Sequence, residues 1–182
     1  DGEGLIGLVL GCNNINEIKK SIKDKGFIIA DETSGEGTNF KDQKVRKWKN
    51  LFLPPELTRG LFSFIIEHTF GSLPIHKDIK DSTPHKLDHL VINTNDAEGF
   101  IRVYRDVFNI RLALDKVIKE WKSRMLFFRT NKTTIEVIEK KDDREPQDKL
   151  WGLAWEVNSI KDTHSRLIKD GVEVSSIKKG IK

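Results

Sequence analysis

Few side chains in this sequence are arranged for covalent chemistry. Cys12 is the only cysteine among the 182 residues, which excludes an intrachain disulfide framework and a multi-cysteine zinc site. No histidine lies near Cys12 in the sequence, so we interpret it as a small buried residue rather than a nucleophile. Gly35-Glu36-Gly37 lacks the strand-to-helix setting of a nucleotide-binding fingerprint and is predicted to be a loop. With no Ser-His-Asp arrangement visible either, no catalytic residue is assigned.

Charge is nearly balanced and locally mixed along the chain. The sequence has 32 lysines and arginines and 28 acidic residues, a net charge of +4. Because the two signs are interleaved, the charged stretches are typical of solvated faces, and we expect no nucleic-acid partner. No apolar run approaches the roughly 18 residues of a membrane span, and the N-terminus lacks the pattern of a secretory signal. We therefore expect a cytoplasmic protein without a membrane partner.

One arrangement of elements recurs three times. Each copy starts with an apolar β-type run, reaches a residue suited to cap a helix, and continues with helical periodicity. The three capping residues are Asn14, Asp96 and Ser159. Three strand-like segments follow the helix in the first two copies, which predicts tandem βαβββ units.

These copies divide the chain into units. We assign one βαβββ unit to residues 1–72, a linker to residues 73–85, and a second βαβββ unit to residues 86–148. Residues 149–182 form a partial third unit of strand, helix and strand. Because the sequence starts without Met and the third unit is incomplete, we expect the chain to be part of a longer protein.

Several local predictions accompany this division. In the first unit we place a strand at residues 27–30 and a polar, Gly-rich loop at residues 33–38. A last short strand is placed at residues 172–175. The strand that begins at Trp151 has no partner in its incomplete unit, and an unpaired apolar edge tends to recruit another chain, so we expect a homodimer. One of Trp151 and Trp155 is expected to pack inward.

Two short motifs resemble a known superfamily. Leu87-Asp88-His89-Leu90-Val91 opens a strand, and Thr134-Ile135-Glu136-Val137 lies in the last strand of the same unit. Together with the tandem units they resemble the vicinal oxygen chelate superfamily, the glyoxalase, bleomycin-resistance and extradiol-dioxygenase group, and most of all its glyoxalase-like-domain proteins. The resemblance implies an α+β fold whose tandem βαβββ units form an incomplete curved β-barrel around a cleft, with helices outside. Longer members have four units, so this chain is similar to the second, the third and part of the fourth.

The same resemblance implies a metal site at two positions. His89 lies where the family has its first-strand histidine ligand, and Glu136 lies where it has the last-strand glutamate. Imidazole and carboxylate suit a divalent ion such as Fe, Mn, Ni or Zn. The corresponding positions elsewhere are Gly7, Phe64 and Gly152. Since a catalytic ion usually has three or more protein ligands, a further unit, a second chain or a neighbouring histidine must complete the site.

Strand alternation adds a geometric prediction for these two residues. Alternate residues of a strand share a face, so His89 and Glu136 both face the cleft if their strands are neighbours in the sheet. A carboxylate on an otherwise apolar face is costly to bury unless it is paired. We therefore predict that the two side chains lie within ion-sharing or hydrogen-bonding distance.

Three functions are compatible with these features. The first is a metal-dependent lyase, isomerase or dioxygenase acting on a small substrate with vicinal oxygens. The alternative is a metal-free small-molecule binding module of the bleomycin-resistance type, which the missing ligands at Gly7, Phe64 and Gly152 favour. The third is a scaffold with no site of its own, which the incomplete third unit favours.

Overall fold

The computed structural model describes residues 3–73, 80–142 and 144–180. Within these residues the chain forms nine strands and four α-helices. The strands are β1 (Leu8–Cys12), β2 (Thr33–Thr38), β3 (Val45–Phe52), β4 (Ser63–Phe70), β5 (Pro84–Thr94), β6 (Arg111–Ile118), β7 (Ser123–Arg129), β8 (Thr134–Glu139) and β9 (Asp148–Val157). The helices are α1 (Ile15–Asp24), α2 (Pro55–Thr58), α3 (Ala97–Ile101), which continues as a π-helix over Arg102–Val107, and α4 (Ile160–Lys169). None of the described helices is long and apolar enough to cross a bilayer.

The strands form two sheets with the same internal order. One sheet, called sheet A here, has the order β1-β4-β3-β2, and the other, sheet B, has the order β6-β7-β8-β5-β9. In each unit the first strand pairs in parallel with the last one, β1 with β4 and β5 with β8. The α+β class with tandem βαβββ units is confirmed, and over the described residues the two sheets do not close into a barrel.

Side-chain caps start three of the helices, as the sequence predicts. Asn14, Asp96 and Ser159 each accept a hydrogen bond from a backbone N–H two or three residues further on, at 2.9 to 3.2 Å. These bonds satisfy N–H groups that would otherwise lack a partner at the helix start.

A second hydrogen bond at the helix start recurs in both units. It was not predicted from the sequence. Glu67 of β4 accepts a hydrogen bond from the Ile15 N–H at 2.9 Å. Glu139 at the end of β8 accepts one from the Ala97 N–H at 3.2 Å, and it is buried. A carboxylate beside a helix N-terminus is favoured by the helix dipole. Each unit therefore fixes its helix to its last strand in the same way.

The prediction for residues 27–38 is wrong. Residues 27–32 form no strand, and the Gly-rich stretch predicted as a loop is β2, paired antiparallel with β3. The reason is steric: Gly35 lies opposite Trp48, and a Cβ at Gly35 would overlap the indole. The glycines thus give the indole room across the strand pair.

Two predictions for the C-terminal part are also wrong. β9 is not an unpaired strand, because it pairs antiparallel with β5 along most of its length. The strand predicted at residues 172–175 is absent, since residues 172–180 are irregular. β5 also begins inside the predicted linker, of which residues 74–79 lie outside the described residues. The free edge of β5 explains why β9 is paired. The backbone groups of that edge find their hydrogen-bond partners in β9, the strand of the partial unit.

The two units share one hydrophobic core in the described part of the chain. Ile15 and Ile22 of α1 are fully buried, and they belong to the same cluster as Leu51 of β3, Phe100 of α3 and Phe128 of β7. Burying such side chains contributes roughly 1.5–3 kcal/mol each. The core therefore fixes the position of sheet B relative to the rest of the chain.

Polar contacts also cross between the units. The Ser21 hydroxyl donates to the Val107 carbonyl at 2.7 Å. Arg59, which follows α2, forms a buried bidentate ion pair with Asp148, the first residue of β9, and its guanidinium lies 5.3 Å from the centre of the Phe100 ring. The Asp148 N–H donates to the Arg59 carbonyl at 3.1 Å. Burial raises the pKa of the Asp148 carboxyl to about 6, although Arg59 opposes this shift.

Candidate functional site

His89 and Glu136 come together on neighbouring strands of sheet B. In the parallel pair β5–β8, Val91 lies opposite Glu136 and His89 lies opposite Thr134, so His89 and Glu136 are diagonal neighbours. The distance from His89 Nε2 to Glu136 Oε2 is 3.5 Å. The predicted proximity of the two side chains is confirmed.

Both side chains lie on the face of sheet B that is turned away from the core. Their strand neighbours Leu90, Ile135 and Val137 are buried in the hydrophobic core on the opposite face. The His89 side chain is 30% exposed and the Glu136 side chain 16% exposed. A small molecule can therefore reach the imidazole from solvent, while the carboxylate is mostly shielded.

Asp88 orients the imidazole of His89. This role of Asp88 was not predicted from the sequence. Its Oδ2 lies 2.9 Å from His89 Nδ1, and an ionised carboxylate can only accept, so Nδ1 is the donor. The hydrogen bond from His89 and the nearby Lys86 lower the pKa of Asp88. In a neutral ring, Nε2 then carries the lone pair, on the side of Glu136. Such a carboxylate–histidine contact is the usual outer partner of a histidine metal ligand.

A strand irregularity brings Asp88 to this position. Simple alternation places Asp88 on the opposite face from His89, but the pairing of β5 with β9 shifts register between Leu87 and His89. At such a bulge two residues of one strand face one residue of the other. In the sequence, the sign of this contact is that Asp88 and His89 are adjacent. Strand alternation alone predicts that their side chains lie on opposite faces.

The neighbouring strand β7 supplies further side chains on the same face as His89 and Glu136. Phe127 of β7 lies opposite Glu136 and Arg129 lies opposite Thr134. The Arg129 Nη1 donates to the Thr134 hydroxyl at 2.6 Å. Arg129 thus places a cation one strand beyond Thr134, the residue paired with His89, and Phe127 adds an aromatic ring beside Glu136.

The equivalent positions elsewhere carry other groups. In sheet A, Phe64 lies opposite Val9 just as Glu136 lies opposite Val91, so Phe64 replaces the carboxylate. The Phe64 ring lies 5.3 Å from that of Phe52, centre to centre. On β9, Gly152 lies opposite Val91 and offers no side chain. Sheet A and β9 therefore add no ligand to the pair.

Two protein ligands are all that the described residues bring together. Over residues 3–73, 80–142 and 144–180, no group of three or more His, Cys, Asp or Glu side chains is arranged to hold a metal ion. Imidazole nitrogen and carboxylate oxygen suit a borderline divalent ion, so the donor types fit a metal although their number is low.

One solved structure has a similar fold at low sequence identity, and others align with lower scores. A hypothetical protein from Staphylococcus aureus aligns with a TM-score of 0.52 and 11% identity, over 75% of this chain and 53% of that one. Methylmalonyl-CoA epimerase from Mycobacterium tuberculosis aligns with a TM-score of 0.43 and 20% identity, over 53% of this chain and 71% of that one. A hypothetical protein from Bacillus halodurans aligns with a TM-score of 0.41 and 18% identity, over 47% of this chain and 68% of that one. This chain thus spans about half the length of the Staphylococcus protein.

A family model covers the part of the chain that contains His89 and Glu136. No match is found among curated protein sequences. The model of the Glyoxalase/Bleomycin resistance protein/Dioxygenase superfamily matches residues 86–179, which is more than half of the 182 residues. With βαβββ units in both sheets and this match over the second of them, the chain belongs to the Glyoxalase/Bleomycin resistance protein/Dioxygenase superfamily.

Proposed function

We propose that the open face of sheet B binds a divalent metal ion through His89 and Glu136, and that a small substrate with two adjacent oxygens binds there. The observation that carries this proposal is the 3.5 Å separation of His89 Nε2 and Glu136 Oε2, with Nδ1 held by Asp88. A bound divalent ion would act as a Lewis acid on the substrate oxygens. The proposed reaction class is that of a lyase, an isomerase or a dioxygenase.

The protein side chains have separate roles in this proposal. Asp88 fixes the imidazole tautomer that leaves Nε2 free to bind a cation. Glu136 supplies an anionic oxygen that is mostly shielded from water, which strengthens its interaction with a cation. Arg129 is suited to bind an anionic group of the substrate, because a guanidinium forms bidentate hydrogen bonds with carboxylates.

The remaining protein ligands are proposed to come from another βαβββ unit. β9 extends sheet B beside β5, and its Gly152 occupies the position that corresponds to His89. Further ligands must therefore approach from beyond β9 or from a second chain. This supports a site that lies between units rather than inside one.

Calorimetric titration with Mn²⁺, Ni²⁺ and Zn²⁺ tests the proposal. We expect one ion to bind per chain for at least one of these metals. Metal binding should release more protons at lower pH, because a protonated imidazole must lose its proton before it binds the ion. A protein stripped with chelator and then titrated provides the baseline. Absence of heat and of retained metal for all three ions would contradict the metal-dependent function.

The second candidate is a metal-free small-molecule binding module. It is favoured by the missing ligands at Phe64 and Gly152, and by Trp151 and Trp155, which are 69% and 54% exposed rather than packed inward as one of them was expected to be. Exposed indoles can form an aromatic wall for a planar ligand. Binding of a planar aromatic ligand that is unchanged by chelator and by His89→Ala would support this candidate against the first.

A further inference from the structure

We infer that a cleft between the two units binds a zwitterionic small molecule with an apolar body, either an amino acid with a large side chain or a short peptide. The cleft, called the inter-unit cleft here, has a volume of about 880 Å³, which is in the usual range of small-molecule pockets. The described residues that line it include none from β5 or β8. The inference therefore goes beyond the proposed metal site and does not depend on it.

Segments of both units form the walls of the inter-unit cleft. The lining residues lie within residues 25–27 and 55–60 of the first unit, and within residues 96–107 and 144–147 of the second. Asn95 fixes the last of these segments, because it donates to the Glu145 carbonyl at 3.1 Å and accepts from the Gln147 N–H at 2.7 Å. Together with the core that the units share, this bonding holds the cleft open in the absence of a ligand.

One wall of the cleft is the π-helix that continues α3. The Phe108 N–H donates to the Val103 carbonyl, five residues back, at 3.1 Å. Such turns are rare in proteins and occur frequently at functional sites. Two charged residues of this turn, Arg102 and Asp106, line the cleft.

A mostly buried guanidinium also lines the cleft and has donor groups to spare. The Arg59 side chain is only 8% exposed, and its Nε and Nη2 both donate to the Asp148 carboxylate. The third nitrogen, Nη1, carries two N–H groups that have no acceptor among the described residues. A ligand carboxylate is the group that a guanidinium binds best.

The charges that line the cleft favour a ligand with both signs. Lys25, Arg102, Glu56 and Glu145 line it, and none of them forms an ion pair with another described side chain. The other charged lining residues are engaged: Arg59 with Asp148, Arg144 with Asp142, Asp106 with Arg105, and Asp96 as the cap of α3. A simple anion would meet two unpaired carboxylates, and a simple cation two unpaired cations. A ligand with an ammonium group and a carboxylate complements both pairs.

Apolar side chains in the same cleft call for an apolar body on the ligand. Phe27 is half-buried, and Pro55 and Pro146 are exposed. A large apolar side chain on the ligand would remove part of this surface from water. Neither a sugar nor a small inorganic ion would do so.

Three probes with the same apolar body test the charge requirement. L-Phenylalanine carries both charged groups, 3-phenylpropionate lacks the ammonium group, and phenethylamine lacks the carboxylate. In ¹H–¹⁵N titrations of the full chain we expect phenylalanine to shift the Gly60 and Gly99 amide resonances saturably, and each analogue to bind about tenfold more weakly. Saturable binding of none of the probes, or equal binding of all three, would overturn the inference. Chelator should not change the result, so this test is independent of the metal site.

The dipeptide alanyl-phenylalanine separates the two sources of the ligand. It has the same phenyl group and the same two charges, held further apart. Tighter binding than phenylalanine would assign the cleft to a short peptide, and weaker binding would assign it to a free amino acid. The cleft assignment itself fails if the dipeptide and phenylalanine shift different sets of amides.

Two charge-removing variants test which side chains bind the ligand. Arg102→Gln should weaken phenylalanine binding about tenfold and strengthen phenethylamine binding, because it removes a cation. Glu56→Gln should also weaken phenylalanine binding, but it should strengthen 3-phenylpropionate binding. Lys23→Gln is the control, since Lys23 is exposed near the end of α1 and is not among the lining residues. Variants that change all three probes alike, or that change none, would contradict the inference.

Discussion

Replacing Arg59 with leucine is expected to lower the free energy of unfolding by about 3–5 kcal/mol, because the change leaves the carboxylate of Asp148 buried without a partner. The Asp148 side chain is 1% exposed and the Arg59 side chain 8% exposed, so water cannot replace the lost contact. The pair joins the first unit to the start of β9, and its loss should therefore loosen the contact between the units. Urea denaturation followed by tryptophan fluorescence measures the effect.

The effect should depend on pH in a defined direction. The pKa of Asp148 is raised to about 6 in the folded protein, above about 3.9 in an unfolded chain. The folded state then binds the proton more tightly, so the contribution of this carboxyl to stability falls as pH rises from about 4 to about 6. Without Arg59 its folded-state pKa rises further, and the loss continues above pH 6. The difference between variant and wild type should be larger at about pH 8 than at about pH 5.

A double variant separates the ion pair from general packing. Arg59→Leu combined with Asp148→Leu removes both charges, and replacing a buried pair by apolar side chains is often nearly neutral. We expect the double variant to recover most of the stability that Arg59→Leu loses. A double variant as unstable as the single one would show that the buried charge is not the cause.

The largest effect on metal binding is expected from His89→Ala. Loss of one of two protein ligands should abolish the binding proposed above, and Asp88→Asn should weaken it by about 10–100-fold because it removes the negative charge of the group that orients the imidazole. Titration calorimetry with the metal that binds the wild type measures both. Asp88→Asn is the more specific change, since the exposed Asp88 has no role in the core.

The chain offers a matched control on the same strand. His85 Nε2 lies 3.5 Å from Glu156 Oε1, the same separation as in the His89–Glu136 pair. Lys86 Nζ contacts the Glu156 carboxylate at 2.8 Å and so already supplies a cation to it. His85→Ala should therefore leave metal affinity unchanged. Equal losses for His85→Ala and His89→Ala would assign the metal to nonspecific histidine binding.

The helix starts and the shared face of His89 and Glu136 could be predicted from local sequence signals. Capping residues such as Asn14 act on the next few N–H groups, and strand alternation fixes the face of a side chain, so both are encoded within a short stretch. The proximity of His89 and Glu136 needed one further step, the neighbouring placement of their strands, which the resemblance implied.

The failures involve contacts between distant segments. Thr33–Thr38 has the composition of a loop, and it forms a strand because its glycines give room to Trp48 on β3. β9 finds its partner in the free edge of β5 rather than in its own unit. Asp88 reaches His89 through a register shift that only the β5–β9 pairing creates. Such contacts between distant segments cannot be predicted from the strand propensity of single residues or from the alternation of side chains along a strand.

The most direct test of the metal site is a long-range ¹H–¹⁵N spectrum of the histidine side chains, recorded at a pH where the rings are neutral, before and after addition of Zn²⁺. His89→Ala assigns the resonances. The proposed site predicts that metal-free His89 carries its proton on Nδ1, held by Asp88, and that stoichiometric Zn²⁺ shifts Nε2 while Nδ1 stays protonated. A His89 Nε2 resonance that does not respond to Zn²⁺, or a proton on Nε2 in the metal-free protein, would contradict it.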